Sequence, residues 1–177
     1  MRNTALVVGT ILMVAMVGAY MYYGGLSSGQ SDAPAAVTPV VNTPPPPPAP
    51  VAVSFIELAQ GTHSTVGRRT NYLITSSSEL SALWKMVDAK GQIPTVDFKT
   101  SSVIAVFAGT KPTPGYTIAV ADVTDSETRM VTITLSSPDS TCFLAQVLTA
   151  PYQIIVLPTT SLPLAHTDVT KKTSCLP

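Results

Sequence analysis

Nineteen consecutive residues, Ala5–Tyr23 (ALVVGTILMVAMVGAYMYY), carry no charge. At about 1.5 Å per residue a helix of that length reaches roughly 28 Å, close to a bilayer hydrocarbon core of about 30 Å. Tyr20, Tyr22 and Tyr23 fall at its far end, where amphipathic rings prefer the headgroup level. Arg2 and the free amino group are the only positive charges near either end. The positive-inside rule therefore places residues 1–4 in the cytoplasm and everything after the span outside it, in a periplasmic or extracellular compartment. The alternative is a cleaved signal peptide, whose apolar region is normally about 7–15 residues and leads into small residues. Here the run is longer and Tyr-Met-Tyr-Tyr stands at the cleavage position, so a retained single-pass anchor over residues 5–23 is the expectation.

Prolines divide the rest of the chain. Eight of the 16 lie between Pro34 and Pro50, inside a segment, residues 24–52, that has one charge and no apolar periodicity. It opens GGLSSGQSDAPAA and continues to PPPPPAP. Glycine and serine make its start flexible; the proline stretch favours an extended left-handed helix that holds a domain on the order of 50 Å from the membrane. Proline-rich stretches also serve as ligands for aromatic grooves, but outside the cytoplasm a disordered spacer is the plainer reading.

The folded part is expected at residues 53–165, with a polar tail at 166–177. Its clearest helix is TSSSELSALWKMVDAKG. Ser76 and Glu79 fit a capping box, Leu80, Leu83, Trp84 and Val87 form one apolar stripe, and Gly91 suits the C-terminal cap. Trp84 is expected to pack beneath this helix. The other segments predict strands: Val53–Leu58, Asn71–Thr75, Ser102–Ala108, Tyr116–Val123, Arg129–Leu135, Phe143–Thr149 and Tyr152–Leu157. Ser102–Ala108 is almost continuously apolar, which predicts burial on both faces. Tyr116–Val123 and Arg129–Leu135 alternate, with Asp125-Ser126-Glu127 as the hairpin turn between them. Pro151 should interrupt the ladder before the last strand. The fold class is mainly β (α+β): a twisted antiparallel sheet or β-sandwich with one packed α-helix.

Ten Lys or Arg balance ten Asp or Glu, and no basic run exists, so nucleic-acid binding has no electrostatic footprint. His63 and His166 belong to no metal-ligand spacing, and no CxxC, phosphate loop, dinucleotide fingerprint or GxSxG elbow is present. No base and orienting partner can be nominated, so neither catalysis nor a cofactor, metal or small-molecule substrate is expected. Cys142 and Cys175 are even in number and, with the anchor oriented outward, lie where a disulfide persists; a bridge between them is expected, the alternative being one buried thiol and one loose one.

The hinge KPTPGY, residues 111–116, lies between two predicted strands. Pro112 and Pro114 fix φ near −65° and Gly115 can supply a positive φ, which is the signature of a type II turn. A stiff loop of this kind loses little entropy on docking, and Tyr116 offers a flat amphipathic contact. The competing reading is a turn that only reverses the chain while Tyr116 packs inward.

From Asn71 to Pro158 the sequence resembles the C-terminal domain of PrcB, a regulatory subunit of a bacterial surface protease complex. The resemblance is an ordered series: the helix ELSALWKMV, then VDFKTSSVIAVFAGTKPTPGY, then alternating strands, then QVLTAPYQIIVLP. Pro112, Thr113, Gly115 and Tyr116 match a turn that commonly reads Pro-Thr-Gly-Gly-Tyr in that family, and Pro151 and Tyr152 match the pair that introduces its last strand. Pro114 replaces the first glycine and stiffens the loop. The resemblance implies no enzymatic activity. It implies a tethered extracytoplasmic domain that binds or stabilises an envelope protein, a protease or its precursor among the candidates, with Pro112, Thr113, Pro114, Gly115, Tyr116, Pro151 and Tyr152 as the contact residues. A transmembrane helix and polyproline spacer stand here in place of a lipid anchor.

The same loop is also similar to the NPTTGY loop of chagasin-type cysteine-protease inhibitors, which wedges into a protease active site. Lys111 replaces the asparagine, Pro114 the second threonine, and no clear glycine-rich second loop is present. Direct peptidase inhibition is thus the second reading, and a structural or adhesive surface domain the third.

Overall fold

A computed structural model describes residues 48–175; the anchor expected at 5–23 and nearly all of the linker lie outside the described residues. Among the described residues no helix is long and apolar enough to cross a membrane.

The described chain forms β1 (Val51–Ala52), β2 (Ile56–Gly61), β3 (Thr70–Ile74), one helix, α1 (Ser77–Trp84), and then β4 (Ser101–Phe107), β5 (Thr117–Asp125), β6 (Arg129–Pro138), β7 (Tyr152–Pro158) and β8 (Leu164–Thr173). They build two four-stranded sheets, ordered β1-β5-β6-β8 and β2-β7-β4-β3. Every pairing is antiparallel except β6 with β8. The architecture is a β-sandwich with α1 packed on the outside of the second sheet, as the α+β expectation required.

β4 and β7 lie in the middle of the second sheet and are covered on both sides. Ile104, Val106, Ile155 and Leu157 face the other sheet and meet Ile118, Val120, Val123, Val131 and Ile133. Val103, Ala105, Phe107, Tyr152 and Ile154 face outward and are roofed by Leu80 and Leu83 of α1. The unbroken apolar run at 102–108 is explained by these two cores, since a strand buried on both faces has no polar side to alternate with. A bulge between Val120 and Asp122 shifts the parity of β5, which is why Val120 and Val123, three apart, both point inward.

Several segments differ from expectation. The chain does not run as one strand from Val53 to Leu58. Val51–Ala52 pairs with β5, Val53 N–H donates to the Val123 carbonyl at 2.8 Å, and only from Ile56 does the chain join the second sheet. Val53 and Phe55, on the crossing, pack against the inter-sheet core. α1 begins as predicted, with Ser76 Oγ accepting the Glu79 N–H at 3.3 Å and the Glu79 carboxylate accepting the Thr75 N–H at 2.8 Å. It ends at Trp84, well before Gly91. The next segment is drawn into extended pairing: Thr65 N–H donates to Met86 O at 2.8 Å and Asp88 N–H to His63 O at 3.2 Å. Val87 still reaches the helix-side core, but from this extended segment, and Trp84 is half-buried there rather than enclosed. The segment expected as a polar tail from residue 166 forms most of β8, a ten-residue strand that pairs with β6 along its whole length.

Candidate functional site

KPTPGY is held from beneath. Leaving β4, the chain passes Gly109 (φ 74°), where a Cβ would stand 2.8 Å from the Arg68 carbonyl carbon, so only glycine allows the close crossing. Lys111 and Thr149 then exchange backbone hydrogen bonds of 2.7 and 3.0 Å. The Thr149 hydroxyl donates to Thr113 O at 3.1 Å. Gly115 has φ 89°, the value a type II turn requires after Pro114. Lys111 Nζ lies 5.7 Å from the centre of the Tyr116 ring, within cation–π range. The hinge is therefore a pre-shaped loop whose Pro112 and Gly115 are exposed, while Tyr116 is half-buried.

The structure brings the two expected contact segments together: Tyr116 and Pro151 line one groove of about 260 Å³ with Gln60, Gly61 and Thr62. Their exposure differs from expectation. Pro151 is buried, and its carbonyl accepts the Ala108 N–H at 2.9 Å. Tyr152 is 1% exposed and its ring stacks on Phe107 at 6.1 Å between centroids. Burial, reinforced by the hydrogen bond to the Asp88 carboxylate, pushes its hydroxyl up to about 12. Tyr152 is a core residue and presents nothing to a partner, because its place at the start of a doubly covered strand leaves it no free face.

The larger departure is at residues 139–149. Phe143–Thr149 is not a strand. The two strands this apolar run connects, β6 and β7, each have partners on both sides, and Pro151 stops β7 from extending backwards, so neither offers it an edge to join. Its start is fixed by a turn in which Asp139 Oδ1 accepts the Thr141 N–H at 3.0 Å and the Thr141 hydroxyl at 2.9 Å. These bonds hold the Asp139 carboxyl below its ordinary range, so the turn stays charged. Cys142 is bonded to Cys175, with Cα atoms 5.4 Å apart. The other end is fixed by the Thr149–Lys111 pairing.

Between these anchors the loop projects its apolar side chains into solvent. Phe143 is fully exposed, Leu148 67% and Val147 52% exposed. Leu144 turns back toward KPTPGY: its Cδ1 is 3.8 Å from where a Gly115 Cβ would be. A groove of about 710 Å³ separates the two loops, lined by Pro114, Gly115, Pro138, Phe143 and Leu144 and by the disulfide. Isolated exposed hydrophobics are ordinary, but three on one anchored loop are an unusual concentration, and Phe143 among them lines the apolar groove. The signal is present in FLAQVL: neither set of alternate residues is polar, which a half-buried strand would require.

Residues 102–158 match the PrcB C-terminal family model. The match runs from β4 through β7, so it contains KPTPGY, the β5–β6 hairpin and the whole exposed loop. The likeness traced from Asn71 thus begins at Ser102; β3, α1 and β8 lie outside the PrcB C-terminal match. No curated protein and no solved structure matches the chain. Among the described residues no group of three or more His, Cys, Asp or Glu side chains is placed to hold a metal ion.

Proposed function

We propose that this protein is a membrane-anchored, extracytoplasmic binding module without catalytic activity, which binds or stabilises another envelope protein, a protease or its precursor being the class of partner. One observation carries the reading: Phe143, Val147 and Leu148 are exposed together on a loop fixed at both ends, next to the rigid KPTPGY turn. Burying such anchors in a partner is the usual source of interface free energy, and fixed loops lose little entropy when they dock.

The position of the loop agrees with this use. β5 runs from Thr117, beside the groove, to Asp125, and Val51 pairs with Asp125 in an antiparallel sense. The chain therefore enters the sandwich at the end remote from the groove, roughly 26 Å away at about 3.3 Å per strand residue. The contact surface thus lies at the end of the sandwich away from Val51, where the described chain enters it.

Insertion of KPTPGY into a peptidase active site, the chagasin-like reading, is less favoured, because Tyr116 lies against Lys111 and Thr113 O is tied to Thr149. The test is crosslinking in the native envelope with the full-length chain, comparing the wild type with Phe143→Ser and Leu148→Ser. One dominant partner, lost in both variants while their melting temperatures stay at the wild-type value, is the expected result. Identical recovery from all three proteins would refute the binding surface and favour a structural domain.

A further inference from the structure

Although the chain is neutral overall, its charges are segregated along the sandwich. The end that carries the groove holds Arg68, Lys111, Lys171 and Lys172, against Asp88 and Asp139. Arg68 packs at Gly109 just beyond β4, and Lys171 and Lys172 pair in register with Ser136 and Ser137 at the close of β6. Both acids there are already engaged, Asp139 by Thr141 and Asp88 by the Tyr152 hydroxyl and His63. The opposite end holds Glu79, Asp97, Asp125 and Glu127 against Lys99 and Arg129, placed by the caps and turns that join α1, β4, β5 and β6. Lys171 has the same parity on β8 as Thr173, which lines the groove, and so projects from the same face of the sheet.

We propose that this groove receives an extended apolar segment of another protein whose flanks are acidic; the proposal rests on the protein-binding reading above and specifies its partner. The groove is apolar along Pro114, Pro138, Phe143 and Leu144 and has a volume of about 710 Å³. Lys171, on the face of β8 from which Thr173 lines the groove, and Lys172, on the other face, stand at this end, and among the described residues neither has a carboxylate at salt-bridge distance, Asp139 feeling Lys172 only as a nearby charge. Apolar side chains would give the contact its strength, and the lysines at the rim would set its orientation and reject basic segments.

The inference is tested by titrating two synthetic peptides into the full-length chain: a short alternating valine–phenylalanine stretch bracketed by glutamates, and the same stretch bracketed by lysines. The glutamate-flanked peptide should bind about tenfold more tightly, the sum expected of a few rim charge pairs, and the difference should shrink as salt is raised. Lys171→Glu combined with Lys172→Glu should reverse the preference, and Phe143→Ser should weaken both peptides. Equal affinity for the two peptides, or no binding of either, would overturn the proposal. Loss of the native crosslinked partner in Phe143→Ser would in that case leave the broader binding reading standing, whereas recovery of that partner unchanged would remove it as well.

Discussion

Gln153 Oε1 accepts the Val120 N–H at 2.6 Å, across the gap between the two sheets. β1 covers β5 only at Thr124 and Asp125, so the earlier part of β5 has no strand on that side, and Gln153 supplies the missing partner just before the bulge. Gln60 does the same for Ile118 O at 3.3 Å, and the Gln153 side-chain nitrogen donates onward to the Glu57 carboxylate. Gln153→Leu keeps the volume but orphans a buried N–H, which should cost about 1–3 kcal/mol. Urea denaturation should show a lower midpoint at unchanged slope, with faster hydrogen exchange at the Val120 amide; an unchanged midpoint would mean that the bond is not made.

Arg129 is buried at the opposite end, with Nε and Nη2 each donating to the Asp125 carboxylate at 2.7 Å. Those bonds, together with the guanidinium charge, hold Asp125 below its ordinary value of 3.8. A depressed carboxylate stabilises the fold above its unfolded pKa, and that contribution is lost as pH falls through the lower folded value. Wild type should therefore lose stability below about pH 4 more steeply than Asp125→Asn. At neutral pH the variant should be less stable by about 3 kcal/mol, because it leaves a buried cation poorly paired. Parallel acid titrations of the two proteins would contradict this.

Tyr152 predicts the reverse behaviour at high pH. Its hydroxyl, raised to about 12, stays protonated in the folded chain while the unfolded chain ionises near 10. Stability should thus fall as pH rises between about 10 and 12, and Tyr152→Phe should remove that slope. Gly61 makes room for the ring: a Cβ there would meet Tyr152 Cε1 at 2.6 Å and Asp88 Oδ1 at 2.8 Å. Gly61→Ala should cost about 1–3 kcal/mol by overpacking, read as a drop in melting temperature.

The disulfide closes a loop of 33 residues and anchors both the exposed loop and the end of β8. Cys142→Ser with Cys175→Ser should lower stability by about 3–4 kcal/mol on the chain-entropy account. Hydrogen exchange should quicken first in Lys171–Thr173 and leave β4 and β7 protected. Uniform acceleration across all strands would show that the bridge supports the fold globally instead.

The parts of the fold visible in the sequence are those whose neighbours are uniform in character. SVIAVFA can be read as doubly buried because both faces of β4 are apolar, and β6 because Val131, Ile133 and Leu135 alternate with Met130, Thr132 and Thr134. β8 is invisible for the opposite reason. LAHTDVTKKT covers the edge of β6 more than the core, so neither of its faces is apolar, and only the pairing itself identifies it. The helix is shorter than its apolar stripe because Val87 fits helical spacing while its backbone pairs with residues 63–65. At the site, Pro114-Gly115 announces its turn through backbone chemistry. Phe143, Val147 and Leu148 suggest a strand because apolar residues are read as buried by default, and nothing local reports that β6 and β7, the strands they connect, already have partners on both sides.

The direction of β8 sets a schedule for assembly. It leaves the ribosome after β1–β7, yet it runs parallel to β6 along all ten of its residues and so cannot form as a simple hairpin. Until Thr173 has been delivered, β6 shows a long unsatisfied backbone edge, the kind of template on which neighbouring chains stack. A nonsense or proteolytic truncation before Leu164 would remove no residue of the inter-sheet core, yet it would leave every copy permanently at that unfinished stage. Such chains should be lost to aggregation rather than accumulate as a smaller working domain.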